Sequence, residues 1–149
     1  MADTILVPID LNQEAVLDSV FQAARDYASA HNCSIHLLTV VPDLDTGLFP
    51  YVDKQFIAKT VTEAGERLEK IAQERLGDEF NWKTQSLAGP VARTIIRIAD
   101  ENEVKMIVMA SHNPVFSDIF FGSIASQVVK HSRRSVMIVR QATGDTPKA

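Results

Sequence analysis

Apolar residues occur along this chain either as short unbroken runs or at helical spacing, and the two patterns take turns. Ile5-Leu6-Val7 is an unbroken run closed by Pro8-Ile9-Asp10, which predicts a strand buried on both faces. Val16, Leu17, Val20, Phe21, Ala24 and Ala28 then recur at helical spacing, and Asn12 stands where an N-cap would be. A second run, Ile35 to Val41, ends at Pro42. Residues 42–55, PDLDTGLFPYVDKQ, predict a loop longer than most connections, of the kind used as a lid or an interface. Ile57, Val61, Ala64, Leu68, Ile71 and Ala72 mark a long helix that stops near Gly77. Phe80 to Leu87 is more polar and predicts a strand at a sheet edge. Gly89-Pro90 predicts a turn, with the proline near the first turn of a helix, where its missing N–H costs nothing. Val91, Ile95, Ile98, Ala99 and Asn102 continue that helix, and Val104 to Ala110 is a fourth strand. A loop with Pro114 and Asp118 follows, then a helix opened by Gly122-Ser123 and carrying Ile124, Val128 and Val129. Ser135 to Arg140 is the fifth strand, and the polar residues 141–149 predict a disordered tail.

This order, β-α-β-α-β-α-β-α-β, predicts an α/β fold: one doubly wound parallel sheet with helices on both faces. No internal repeat or low-complexity segment interrupts it. If the chain starts in the middle of the sheet, runs outward and returns to the other side, the first and fourth strands are neighbours. Their carboxyl ends, Pro8-Ile9-Asp10 and Ala110-Ser111, then face each other across the crevice where such sheets bind ligands.

Composition narrows the function more than the fold. The chain has 149 residues, enough for one domain with a substantial core. A formal net charge of -4 leaves no electrostatic footprint for nucleic acid or an anionic membrane surface. No apolar run approaches the roughly 18 residues of a membrane helix. The strand-like ILVPID begins almost at once, without the basic region of a secretory signal. Cys33 stands alone and reads as a small reduced residue near a strand start, in keeping with a cytoplasmic protein.

The candidate chemistry lies at the predicted crevice. The first N–H groups of a helix have no internal partner, and the helix dipole is positive there, so Gly122-Ser123 can seat an anion. The same pair can equally open an ordinary capped helix. Asp10 can bind a ribose hydroxyl, hold a metal through water or cap the next helix. His112 has no second His, Cys or carboxylate at metal-ligand spacing beside it. LNQEA follows the first strand in place of a Gly-x-Gly-x-x-Gly fingerprint, and no phosphate-loop lysine motif or Gly-x-Ser-x-Gly elbow is present. A receiver domain would need an acid pair and a phosphoacceptor where Ile9-Asp10 and Ser86-Leu87 stand.

Taken in order, ILVPID, Val40-Val41, Gly89-Pro90 followed by Ile95 and Ala99, ASHNP, GSIASQVVKH and SVMIVR resemble the universal stress protein (UspA) family over residues 1–140. The resemblance implies strand order 3-2-1-4-5 and binding of ATP, ADP or AMP, with Mg2+ an optional companion of the phosphates. The family's phosphate loop reads Gly-x-x-Gly, nine residues, then Gly-Ser or Gly-Thr. Here Ala110 and Asn113 replace the two glycines and eight residues, Pro114 to Phe121, precede Gly122. That altered loop is similar to the F-type nucleotide-binding subgroup. By position, the resemblance implies that Pro8, Ile9 and Asp10 line the adenosine side and that Val41 touches adenine. It implies that Ala110, His112 and Asn113 border ribose and phosphates, that Gly122, Ser123 and Ile124 hold phosphate, and that Ser135 and Val136 close the far side. No candidate general base stands in the loop, which predicts no catalytic residue and at most slow ATP hydrolysis; the resemblance implies a homodimer through the Ser135–Arg140 edge strand, with higher oligomers and an unidentified protein partner open. The alternative is an interaction module that has lost nucleotide, with Phe116, Ile119, Phe120 and Phe121 as an apolar contact loop.

Overall fold

The computed structural model describes residues 2–42, 54–111 and 122–140. Among them, β1 (Thr4–Pro8), β2 (Ser34–Pro42), β3 (Trp82–Gly89), β4 (Met106–Ala110) and β5 (Ser135–Val139) form one parallel sheet in the order β3-β2-β1-β4-β5. The connections carry α1 (Leu17–His31), α2 (Lys54–Leu76), α3 (Val91–Glu101) and α4 (Ser123–His131). This is the doubly wound α/β sheet that the alternation predicts. The long loop after Pro42, the loop with Pro114, Asp118, Phe116, Ile119, Phe120 and Phe121, and the tail lie outside the described residues.

Side-chain alternation explains why β1 reads as an unbroken apolar run. Ile5 and Val7 point to one face with Ile35, Leu37 and Val108, where α1 and α2 pack. Leu6 points to the other with Leu38, Ile107 and Met109, where α3 and α4 pack. Both faces are covered, and the three enclosed positions, Ile5, Leu6 and Val7, are all apolar. Burying each such Leu, Ile or Phe stabilises the fold by about 1.5–3 kcal/mol. Phe21, fully buried on α1, also lies under the Arg75 guanidinium at 5.5 Å from its ring centroid. Arg75 is held there by Asp18, which ties α1 to α2. At the other wall of α2, Gly65 comes close enough to β3 that a Cβ would stand 3.3 Å from the Cβ of Ser86.

Several local expectations change, among them β3, which runs over Trp82–Gly89 rather than Phe80 to Leu87 and takes in Gly89 from the expected turn. Asn12 does not cap α1: a single 3₁₀ turn, Glu14–Val16, precedes that helix, with Gln13 at its cap position and no side-chain cap bond. The Asn12 N–H instead donates to Oδ1 of Asp10 at 2.9 Å. Lys54 and Gln55 belong to α2 rather than to the preceding loop. Val129 is 43% exposed, so the buried side of α4 is Ala125 and Val128. Val104 is buried just ahead of β4 rather than within it. Gly77, with φ of +58°, ends α2 in the left-handed conformation that glycine accepts most easily. Cys33 is buried beside the start of β2, and burial pushes its thiol pKa up.

One polar side chain is enclosed in the sheet. His36 of β2 is 1% exposed, with Nε2 3.0 Å from Oε1 of Gln85 on β3. An amide oxygen only accepts, so Nε2 carries the proton and Nδ1 is the bare nitrogen. Among the described residues Nδ1 is buried without a partner. Burial, helped by the Lys83 charge, lowers the His36 pKa from its ordinary 6.5, while the Gln85 bond opposes this. The folded chain therefore takes up this proton less readily than the unfolded chain. The stability held by neutral His36 is fully present above pH 6.5 and is lost as pH falls from there through the lowered folded pKa. Urea unfolding at pH 7.5 and 5.5 should show a smaller loss of stability on acidification in His36→Leu than in the parent. Equal losses would refute this assignment.

Candidate functional site

Parallel strands end on the same side of the sheet, and two connections leave that side in opposite directions. After β1 the chain turns to α1 on one face, and after β4 it turns to α4 on the other. The gap left between them is where open α/β sheets bind ligands. A cleft of about 490 Å3 opens there, within the size range of small-molecule sites.

Its floor is made of strand ends: Pro8, Ile9 and Asp10 from β1, Thr39 to Pro42 from β2, and Met109 to Ser111 from β4. On one side Val16, Leu17 and Val20 face Thr60, Glu63, Ala64 and Arg67 of α2. On the other stand Val91 and Ile95 of α3 and Ile124 and Ala125 of α4. The floor is rigid because main-chain bonds continue past the strands. Ile9 N–H donates to the Leu38 carbonyl at 2.8 Å, and Ser111 N–H to the Val139 carbonyl at 2.9 Å.

Asp10 shapes the first rim. Its Oδ1 accepts the Asn12 N–H, and its carbonyl accepts the Gln13 N–H at 3.0 Å. Of the roles open to it in the sequence, the one visible here is a turn cap, which fixes the carboxylate at the cleft edge. On α4, Gly122 is the N-cap with φ -61° and ψ 164° and no side-chain cap bond, and its carbonyl accepts the Ser126 N–H at 3.0 Å. The N–H groups of Ser123, Ile124 and Ala125 therefore have no partner within the helix, at its positive end.

The structure brings together Pro8, Ile9, Asp10, Val41, Ala110 and Ile124 at this cleft. Gly122 and Ser123 stand immediately before its wall at Ile124 but do not line it, and Ser123 is exposed. His112 and Asn113 lie outside the described residues. Ser135 and Val136 are not there. They pair with Met106 and Ile107 at the amino end of β4, whereas the cleft lies at its carboxyl end by Ala110. At about 3.3 Å per residue, that puts a strand's length between them and the site. As site residues, Thr60, Glu63, Ala64 and Arg67 of α2 go unnoticed in the sequence, where Ala64 marks only the helix. Their i, i+3, i+4, i+7 spacing is a legible signal of one helix face, but the pattern cannot say that the face borders a cleft. Among the described residues that line the cleft, the charged ones are Asp10, Glu63 and Arg67. No three His, Cys, Asp or Glu side chains among the described residues could hold a metal ion together, and no described helix is long and apolar enough to cross a membrane.

The model of the universal stress protein family matches residues 1–140. The chain belongs to that family. Universal stress protein G of Escherichia coli O157:H7 is 29% identical to it over 143 residues, spanning 94% of this chain and 100% of that one. Protein MJ0577 of Methanocaldococcus jannaschii shares the fold with a TM-score of 0.80 at 23% identity, covering 97% of this chain and 99% of that one. A universal stress protein of Archaeoglobus fulgidus in complex with dAMP matches at TM-score 0.57 and 18% identity, over 92% of this chain and 97% of that one. A universal stress protein in complex with cAMP matches at 0.59 and 22%, over 95% and 98%.

In this universal stress protein the rim of the cleft depends on the Asp10 turn. Asp10→Ala should lose the bond to Asn12 and destabilise the fold by about 1 kcal/mol, whereas Asp10→Asn, which keeps an acceptor, should stay within about 0.5 kcal/mol. Paired urea melts would decide this. Identical stability of the alanine and asparagine variants would show that the turn does not need the side chain.

Proposed function

We propose that this universal stress protein is an adenine-nucleotide-binding regulatory module of the stress response that works in the cytoplasm as a homodimer. The observation that carries this reading is the cleft. It runs from an apolar hollow between α1 and α2 to the amino end of α4, whose first N–H groups have no partner within the helix. A nucleotide has the same polarity: a flat, largely apolar base at one end and anionic phosphate at the other. The base belongs against Val16, Leu17, Val20 and Ala64, and the Val40-Val41 strand end borders it. The ribose belongs over the strand ends near Asp10 and Ala110. The phosphates belong at the first turn of α4, where the N–H groups of Ile124 and Ala125 can donate to them. Mg2+, where present, comes in with the phosphates as part of the ligand. The related proteins that hold dAMP and cAMP support the ligand class. The replacement of two loop glycines by Ala110 and Asn113 supports the F-type subgroup. Buried Cys33, a thiol without a disulfide, supports the cytoplasm.

The dimer reading rests on β5. It is an edge strand in the sheet order, and Val136, Met137, Ile138 and Val139 are only half-buried. An apolar edge of this kind readily pairs with a second copy.

Two experiments test these readings. Protein purified without added ligand, denatured and run by HPLC, should release adenine nucleotide, or else the empty protein should bind ATP or AMP by calorimetry. A protein that emerges empty and ignores millimolar ATP and AMP would sink the nucleotide reading. It would move attention to the interaction-module alternative. For the dimer, Ile138→Pro should sediment as a monomer while keeping a cooperative thermal transition. An unchanged dimer would refute assembly through β5.

A further inference from the structure

Arg67 of α2 lines the apolar half of the cleft, and its guanidinium is 2.9 Å from the Glu14 carboxylate on the 3₁₀ turn ahead of α1. Gln13 and Val16, on either side of Glu14, line the cleft as well. This ion pair therefore joins the two walls of the hollow at its rim. Both partners are largely in water, with side-chain exposures of 47% for Arg67 and 76% for Glu14, so it adds little to folding stability. Its position is better explained by the hollow it borders. Val16, Leu17, Val20 and Ala64, which line the same hollow, are apolar. The nearest helix amino end suited to phosphate belongs to α4, on the opposite face of the sheet. The remaining charged residues that line the cleft, among those described, are the acids Asp10 and Glu63. A planar cation over an apolar floor suits an aromatic ring better than a phosphate tail.

We propose that Arg67, held by Glu14, is a base-covering strap: its guanidinium lies over the purine ring in the α1–α2 hollow and slows its release. The inference rests on the nucleotide reading and adds a residue pair that retains the base. Glu14 is the positioning residue, because it orients Arg67 without touching the ligand. The pair is cheap to open, which lets a ligand exchange, and it closes again without any rearrangement of the sheet.

Calorimetry with adenosine, AMP and ATP tests this on the parent, Arg67→Gln, Arg67→Lys and Glu14→Gln. Arg67→Gln should weaken all three ligands by a common factor of about fivefold, because the base is common to them. Arg67→Lys should recover only part of this, since an ammonium does not stack as a guanidinium does. Glu14→Gln should weaken all three about twofold. The ligand-free melting temperature should move by less than about 2 °C in each variant, which separates the effect from a loss of fold. If Arg67→Gln weakens AMP and ATP but not adenosine, Arg67 is a phosphate ligand and the strap is overturned while nucleotide binding stands. Unchanged affinities in all variants overturn it too. A parent protein that binds none of the three overturns the nucleotide reading, and the strap with it.

Discussion

Burial of β1 on both faces and along both edges is the constraint from which the rest of this molecule follows. A strand that pairs with β2 on one side and β4 on the other, and carries helices above and below, has no contact with water except at its ends. The side chains between those ends, Ile5, Leu6 and Val7, are all apolar, and its connections must leave at the ends. The chain leaves β1 toward one face, and β4, its neighbour, sends its own connection to the other. The cleft is what remains between two departures that cannot meet. The cleft is thus a geometric by-product of the winding: its floor is made of the residues that end the three central strands, and the helices on either face supply its walls.

Polar groups divide into those this core tolerates and those it uses. His36 is tolerated: one nitrogen is satisfied by Gln85, and the other is buried without a partner among the described residues. Nothing in the structure explains why a leucine does not stand there. Asp10 is used, because it closes the turn that sets where α1 begins. Ser86 is used in a quieter way. Its hydroxyl donates to the Val61 carbonyl at 2.8 Å, a half-buried bond where Gly65 brings α2 close to β3.

Most of the fold is legible in the sequence because its periods are clean. Ile5 to Val7 has no polar break, Ile35 to Val41 is interrupted only by His36 and Thr39, and the α1 and α3 patterns keep their spacing throughout. What is not legible follows from contacts between distant residues. Asn12 looks like a helix cap because the one-turn 3₁₀ segment after it leaves no mark in composition. Val129 looks buried because nothing local separates it from Val128. The α2 side of the cleft is invisible for the same reason: Arg67 meets Glu14 from 53 positions away. Ser135 and Val136 were expected at the site by resemblance of order alone. Strand register, which places them opposite Met106 and Ile107, is fixed by pairing and not by order.

The pairing of Ile5 with Met106 and of Leu6 with Ile107 has a consequence during synthesis. The central strand leaves the ribosome about a hundred residues ahead of one of its two flanks. Until β4 emerges, the β1–β2–β3 portion carries an uncovered apolar border. Contacts so distant in sequence are slow to form, and such borders are where nascent chains stick to one another. A translational pause before β4 is therefore a more hazardous moment for this protein than one after it, and a chain truncated near residue 100 should depend on a holding chaperone for its solubility.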